Sequence, residues 1–467
     1  MEWTVTDCIA ATGGEVRGPQ DAPPFSGIGI DSRRISLRDL FVAIKGETHD
    51  GHRFADDVVR QGGHGVVVAR SKLAELPWDR WVDNQVTCIV VDDTVAALGR
   101  LAAYHRDRNR AEVVAITGSN GKTTTRQMTA SVVSQRFDTL STRKNFNNNI
   151  GLPLTLLELC PDHRWAVVEL GMNAPGEIAA LATICRPNIG VITNVAPAHL
   201  EGVGSLEGVM NAKGELLEKI GAEGTAVLNA DDPLVRRLSQ RAQCEVLLFG
   251  VSPEAVVRAE SIDLGGRDSH FDLLLPDGRV RITLNIPGAF MLLNALAAAA
   301  VGHTIGLSAA EIKSGLENFE PAAGRMSILT TQTGIHVIDD TYNANPGSMA
   351  AALTTLKVLR KQQRAYVVTG DMRELGRHSE KLHHELGMLC TRSGIDGLLA
   401  TGDFAGLVAD GARQAGMSPG AIVTGTKDDL LFALRRILRP GDWVLVKGSR
   451  AMAMEDVVWG LKKWSVR

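Results

Sequence analysis

The stretch A-I-T-G-S-N-G-K-T-T-T at 115–125 joins an apolar run, two glycines, a lysine and a series of hydroxyls. A buried strand, a glycine turn and a helix start in that order make a phosphate cradle. The glycines let the backbone approach an anion, successive N–H groups point at it, and the helix N-terminus adds a positive dipole end. Thr117, Gly118, Ser119, Asn120, Gly121, Lys122, Thr123 and Thr124 are the candidate contacts. Lys122 offsets the terminal phosphate charge, and Thr123 offers a hydroxyl to a magnesium ion bridging the phosphates. Ile116 stands where the strict P-loop has its first glycine, so the loop is the short variant G-x-x-G-K-T. The alternative is an ordinary βα turn with a chance lysine, against which the hydroxyl run argues.

Further polar groups follow apolar runs. Glu169, in E-L-G, is a candidate magnesium carboxylate, because a hard cation bound with phosphate needs one or two carboxylates and keeps several waters. His199, in N-V-A-P-A-H-L-E at 194–201, follows the next run and can complete a second metal position; by itself it reads equally as a capping or surface histidine. By spacing alone Lys213, in N-A-K-G-E, is a solvated helix lysine. Asn145, Asn147, Asn148 and Asn149 form either an amide wall for a substrate or an asparagine-rich turn. D-D-T-Y-N-A-N-P at 339–346, G-D-M-R-E-L-G at 370–376 and K-G-S-R at 447–450 repeat the pattern of polar groups after an apolar run.

The elements that must position these residues are legible in outline. Short apolar runs at 27–30, 39–44, 65–69 and 88–91 predict a small α/β domain over the first ~110 residues, followed by a polar helix near 94–110. Runs at 113–117, 165–170 and 189–194 predict buried parallel strands of a doubly wound sheet, whose ligand crevice lies at the carboxyl ends of its strands. Residues 244–286 read as β-rich, with a hairpin at Asp277-Gly278, and 286–307 as a buried alanine-rich helix near a ligand rather than a membrane span. From 321–325 the pattern restarts, with runs at 335–339, 365–369, 397–401 and 443–446 that predict a second α/β sheet facing the first.

Composition bounds the rest. The chain has 467 residues, room for two to four domains at about 150 residues each. With 44% hydrophobic and 22% charged residues it is an ordinary globular protein. The formal net charge of −3 argues against bulk attraction to nucleic acid or membrane, so anionic ligands must be met by local sites. Six cysteines without a C-x-x-C pair predict free thiols in a reducing, cytoplasmic compartment, and the acidic N-terminus does not read as a secretory signal.

With those residues in hand the chain resembles the Mur ligases over nearly its whole length. The family's A-x-T-G-S-x-G-K-T matches 115–123, its E-L-G matches 169–171 and its A-H-L-E matches 198–201. Within the family it is most similar to the branch that adds a dipeptide, by 145–153, D-T-Y-N-A-N-P-G-S-M at 340–349, G-D-M-R-E-L-G at 370–376 and V-K-G-S-R-A-M-A-M-E at 446–455. An N-terminal signature appears as D-S-R at 31–33, L-F-V-A at 40–43 and D-G-H at 50–52.

The resemblance implies an α/β protein of three domains: a small N-terminal α/β domain for the uridine nucleotide at 1–110, a central P-loop-type ATP-binding sheet at 111–322 and a C-terminal Rossmann-like domain at 323–467. It implies that ATP phosphorylates the terminal carboxylate of UDP-MurNAc-tripeptide, and that the amine of D-alanyl-D-alanine displaces phosphate. Thr123 and Glu169 then match ligands of a first magnesium ion and His199 a ligand of a second, while Lys213 matches a lysine that becomes carbamylated. Asn294, Arg325, Asp339 and Asp340 match ATP contacts. Ser32 and Arg33 fall in the signature of the uridine-nucleotide domain, Asn147 and Asn148 are substrate-binding candidates, and Tyr342, Asn343 and Asn345 lie in the segment that lines the dipeptide side. A cytoplasmic monomer that binds neither nucleic acid nor membrane is expected.

One departure is specific: where the family has G-x-H-N-x-x-N-A, this chain carries Phe290 and Met291 in place of the histidine and first asparagine. Three other readings compete. A sister ligase adding the third amino acid would carry a D-N-P-R signature, which is missing. Folylpolyglutamate synthetase would leave D-S-R and F-V-A without purpose. A nucleotide-dependent switch would hydrolyse ATP without ligating.

Overall fold

The computed structural model describes residues 2–46 and 48–464. Among the described residues strands gather into three sheets of five, nine and six members, with helices between them. Packing divides the chain into two compact units, one of Met1–Ala115, Phe137–Gly171 and Glu177–Asn188, the other of Ile116–Arg136, Met172–Gly176 and Ile189–Arg467. The segment 111–322 therefore contributes to both units.

The first unit holds the five-stranded sheet. Gly27–Gly29, Asp39–Val42, Gly65–Ala69 and Thr87–Val91 run parallel in that spatial order, and Glu15–Arg17 closes the far edge antiparallel. Alternate residues feed opposite faces, as the period of a strand requires. Val67 and Ile89 pack with Leu98 and Leu101 on one side, while Val66, Val68, Cys88 and Val90 pack with Trp81 on the other. Burial of both faces is why these strands read as unbroken apolar runs. The helix Thr94–Arg108 begins where Asp93 accepts hydrogen bonds from the N–H groups of Val95 and Ala96. In the same unit Thr139–Ser141 and Trp165–Glu169 pair in parallel.

In the second unit Ile189–Ile192, Thr225–Asn229, Glu245–Gly250 and Val257–Asp263 lie side by side in parallel. Two antiparallel strands follow, Ser269–Leu275 and Gly278–Leu284. Leu275 pairs with Gly278, so the hairpin turn is Pro276-Asp277, one residue earlier than the sequence predicts. The alanine-rich helix Ala289–Thr304 is buried from Ala295 through Val301. Its small residues serve close packing: side chains on Gly302 and on Gly315 of helix Ala309–Glu317 would press into Val132 of helix Lys122–Val133. Among the described residues no helix is long and apolar enough to cross a membrane.

The six-stranded sheet also belongs to the second unit. Its order is Ser327–Thr330, His336–Asp340, Trp443–Lys447, Ala365–Thr369, Gly397–Ala400 and Ile422–Thr424, all parallel except the first. The last strand in sequence is thus inserted between the strands ending at Asp340 and Thr369. That insertion gathers the polar segments 341–346, 370–376 and 448–450 at one end of the sheet, the end where open α/β sheets hold ligands.

Candidate functional site

The glycine loop is braced by the neighbouring strand end. Ser119 N–H donates to Asn194 O (3.0 Å), and Asn120 N–H to Asn194 Oδ1 (2.9 Å). Thr193 Oγ1 and Asn194 Nδ2 both donate to Asn120 O, at 2.7 and 2.9 Å. Ser119 Oγ bonds Ala196 O and accepts from Ala196 N–H, each at 2.9 Å. Two glycines are sterically required: Gly121 has φ +82°, and a Cβ there would overlap Asn294 Oδ1, while one on Gly118 would overlap Thr193 Oγ1. Lys122 folds back over the loop, its Nζ donating to Gly118 O (2.7 Å) and Ser119 O (3.4 Å).

Several predicted residues converge on this loop. Thr125 Oγ1 donates to Asn294 Oδ1 (3.1 Å), which ties the alanine-rich helix to the helix behind the cradle. Met291, at the second of the two departures from the family pattern, places its sulfur 3.8 Å from Asn294 Nδ2. Phe290 is half-buried in the first turn of the same helix. Arg325 Nη2 donates to Thr123 Oγ1 (2.9 Å), and its guanidinium stacks 3.9 Å from the Tyr342 ring centroid. Asn345 caps the helix Pro346–Arg360 by accepting from Ser348 N–H (2.9 Å), and its Nδ2 donates to Asn120 Oδ1 (2.7 Å).

The acidic pair after strand His336–Asp340 points into the protein. Asp339 Oδ1 accepts from Thr341 Oγ1 (2.7 Å). Asp340 pairs with Lys447 at 2.5 Å and accepts from Met326 N–H (3.2 Å). Lys447 is almost wholly buried and donates as well to the Asn343 carbonyl (2.8 Å), so it fixes the turn that carries Tyr342 and Asn343. The sequence signal for this role of Lys447 is a lysine ending an apolar run, beside the acidic end of another run at 339–340.

His199 and Lys213 lie in the same unit. His199 sits in left-handed backbone (φ +55°), and its Nδ1 is 2.5 Å from Glu374 Oε2, close in distance although not aligned as a hydrogen bond. Interaction with His199, reinforced by the Lys122 charge, holds the Glu374 carboxyl below its ordinary range against the opposing effect of burial. Lys213 is not the solvated helix lysine its spacing suggests; it is 1% exposed. Burial, and next the positive charge of Lys122, push its amine well below the usual lysine range.

The remaining candidates lie in the first unit. Glu169 is buried at the end of its strand and accepts from Asn147 Nδ2 (2.8 Å). Gly171 N–H donates to the Asn147 carbonyl (2.8 Å), and a side chain on Gly171 would press on the Asn147 amide, so E-L-G and this asparagine are fitted together. Asn148 uses its Oδ1 on Gly151 N–H (2.8 Å) and Ile150 N–H (3.2 Å), the asparagine-turn arrangement. Arg33 makes a two-pronged contact with Asp31, 2.9 Å at each nitrogen, and holds that carboxyl down at about 2. Ser32 beside it is half-buried.

Comparison with known proteins agrees along the chain. Residues 24–106 match the Mur ligase family catalytic domain, 116–302 the Mur ligase middle domain, and 324–450 the Mur ligase glutamate ligase domain. UDP-N-acetylmuramoyl-tripeptide–D-alanyl-D-alanine ligase of Escherichia coli K12 is 37% identical over 466 residues, 98% of each chain. The Bacillus subtilis 168 protein of the same name is 32% identical over 97% of each. Among solved structures, MurF from Acinetobacter baumannii matches with a TM-score of 0.90 at 34% identity, covering 99% of each chain. MurF from Thermotoga maritima in complex with ADP matches with a TM-score of 0.83 at 27% identity, covering 94% of this chain and 97% of that one.

Proposed function

The chain belongs to the Mur ligase family, and from that membership we propose that it joins D-alanyl-D-alanine to UDP-MurNAc-tripeptide at the expense of ATP. A carboxylate oxygen of the tripeptide attacks the γ-phosphorus and ADP leaves. The dipeptide amine then attacks the acyl-phosphate carbon, loses its proton and expels phosphate, giving UDP-MurNAc-pentapeptide for peptidoglycan synthesis. The observation that carries this reading is the convergence of Arg325 and Asn345 on a glycine loop that holds Lys122. ATP beside a carboxylate sets negative against negative, and Lys122 is placed to offset that repulsion.

Thr117, Gly118, Ser119, Asn120, Gly121, Lys122, Thr123, Thr124, Asn294 and Arg325 are assigned to ATP. Asp339 and Asp340 shape the same strand end through Thr341 and Lys447. Tyr342, Asn343 and Asn345 are assigned to the dipeptide side, Asn147 and Asn148 to substrate binding, and Ser32 and Arg33 to the uridine nucleotide. The domain boundaries that go with these roles are 110 and 322.

The donor chemistry fits magnesium arriving with ATP. Among the described residues no group of three or more His, Cys, Asp or Glu side chains forms a metal cage. Magnesium characteristically takes one or two carboxylates together with phosphates and water. Thr123, Glu169 and His199 are the residues that would hold such ions. When bound, magnesium supplies charge neutralisation at the phosphates. Lys213, a buried amine whose neutral form burial and the Lys122 charge favour, is suited to attack carbon dioxide; the new N–C bond and loss of one proton leave a carbamate, an added anionic oxygen ligand.

The six cysteines are free, in keeping with action in the cytoplasm, and we assign the working form as a monomer. The test is phosphate release by the purified protein with ATP and magnesium, with UDP-MurNAc-tripeptide and D-alanyl-D-alanine added separately and together and the product weighed by mass spectrometry. Release that needs both, with a pentapeptide product, supports the ligase. Release without the dipeptide, or with a single amino acid in its place, transfers the assignment to an uncoupled ATPase or a sister ligase.

A further inference from the structure

Glu374 has no role in the chemistry described so far, yet it stands against a proposed metal ligand. It follows strand Ala365–Thr369 of the six-stranded sheet, whereas His199 follows strand Ile189–Ile192 of the other sheet in the same unit. Both are non-glycine residues in left-handed backbone, at φ +65° and +55°. Such conformations are strained for residues other than glycine and persist where the surroundings over-determine them. The two loops are fitted to each other: Glu201 N–H approaches the Glu374 carbonyl at 3.4 Å, and a side chain on Gly376 would press on Glu201 Cα. The result is Glu374 Oε2 at 2.5 Å from His199 Nδ1, an ion-pair contact at a buried nitrogen that makes no aligned hydrogen bond among the described residues.

We infer that Glu374 is the positioning residue of His199, holding the imidazole with its proton on Nδ1 so that Nε2 is free to ligate a metal ion. Metal-bound histidines generally give their second ring nitrogen to a carboxylate or carbonyl, which fixes tautomer and ring orientation. Here that carboxylate comes from the other sheet, on the segment that also carries Met372 and Arg373. The inference rests on the metal role proposed for His199.

The experiment is manganese binding to the full-length protein with ADP, followed by the electron paramagnetic resonance signal of free Mn²⁺ without turnover, in wild type, Glu374→Gln, Glu374→Ala, His199→Asn and the Glu374→Ala/His199→Asn double variant. Nitrogen-15 spectra of the imidazole report the tautomer in parallel, and thermal melting checks the fold. Removing Glu374 is expected to weaken Mn²⁺ binding by about 10–100-fold, the usual cost of losing a partner of a metal ligand. Glu374→Gln, of nearly the same shape, tests this should the alanine variant melt early. The double variant should bind no more weakly than His199→Asn alone, and the Nδ1–H tautomer should be lost without Glu374. Weakening in His199→Asn with wild-type affinity and tautomer in both Glu374 variants overturns the inference. Wild-type affinity in His199→Asn removes the metal role of His199 itself.

Discussion

Asn345 and Asn120 meet side chain to side chain, with Nδ2 of the first 2.7 Å from Oδ1 of the second. The same Asn345 side chain accepts from Ser348 N–H, so one residue both starts the helix Pro346–Arg360 and braces the glycine loop. Gly347, two residues on, would press on Asn120 Nδ2 if it bore a side chain, and its bareness lets the helix start lie close to the loop. The glycine loop is therefore braced by a residue that follows strand His336–Asp340 of the six-stranded sheet.

Two substitutions separate those duties. Asn345→Asp keeps a good capping acceptor but removes the amide donor and sets a negative charge beside the cradle. It should melt near wild type while the KM for ATP rises. Asn345→Ala should raise KM as well and cost about 1 kcal/mol of stability through the lost cap. Equal KM values in Asn345→Asp and wild type would show that the asparagine pair has no part in nucleotide binding.

Lys122→Ala should lower kcat/KM for ATP by about 10²–10³-fold or more, the scale for removing one preorganised charge-stabilising group. It should lower ligation and phosphate release together. Steady-state kinetics with all three substrates checks this, and near-normal turnover would remove Lys122 from the phosphate site.

Much of this arrangement was legible in the sequence because parallel strands buried on both faces write themselves as apolar runs. The strands Gly65–Ala69, Thr87–Val91 and Ala365–Thr369 are of that kind, and polar residues immediately after such runs mark the ligand end of the sheet. What escaped depends on contacts distant in sequence. Lys213 lies in a short helix, Leu206–Gly214, at the position i+7 from Leu206 on the face that Val209 and Met210 mark as covered, but a lysine in so short a pattern reads as solvated until the fold buries it. Strand Thr225–Asn229 has too short an apolar core to stand out from its surroundings. Glu374 reads as one more loop carboxylate until the fold brings it to His199.

Lys213 supplies a prediction with a chemical signature. Because burial and Lys122 favour its neutral form, the amine should take up carbon dioxide without needing high pH. With ¹³C-bicarbonate the protein should show a carbamate carbon resonance that disappears in Lys213→Ala. Activity lost in that variant should return in part with added short carboxylates such as acetate or formate. No carbamate signal and no rescue together would leave Lys213 as a buried amine without that role.

His383 makes the loop that carries Glu374 sensitive to acid. The ring is fully buried and stacks 4.4 Å from Phe404, with Nε2 2.9 Å from Met372 N–H, which donates to it, and Nδ1–H donating to the Ser379 carbonyl at 2.7 Å. Both nitrogens are used by the neutral ring, and burial lowers its pKa below the ordinary 6.5, only partly opposed by the Ser379 bond. The unfolded chain therefore binds a proton at a higher pH than the folded chain. Stability is fully present above pH 6.5 and falls as pH drops from there toward the folded pKa, by at most about 1.4 kcal/mol per pH unit for one proton. His105 and His336 shift in the same direction and remain as background. His383→Phe, which keeps the stacking and removes the titration, should melt lower at pH 7.5 but lose less further stability between pH 7 and 5 than wild type. Chemical denaturation across that range measures the two slopes, and equal slopes would mean that His383 does not carry the acid sensitivity.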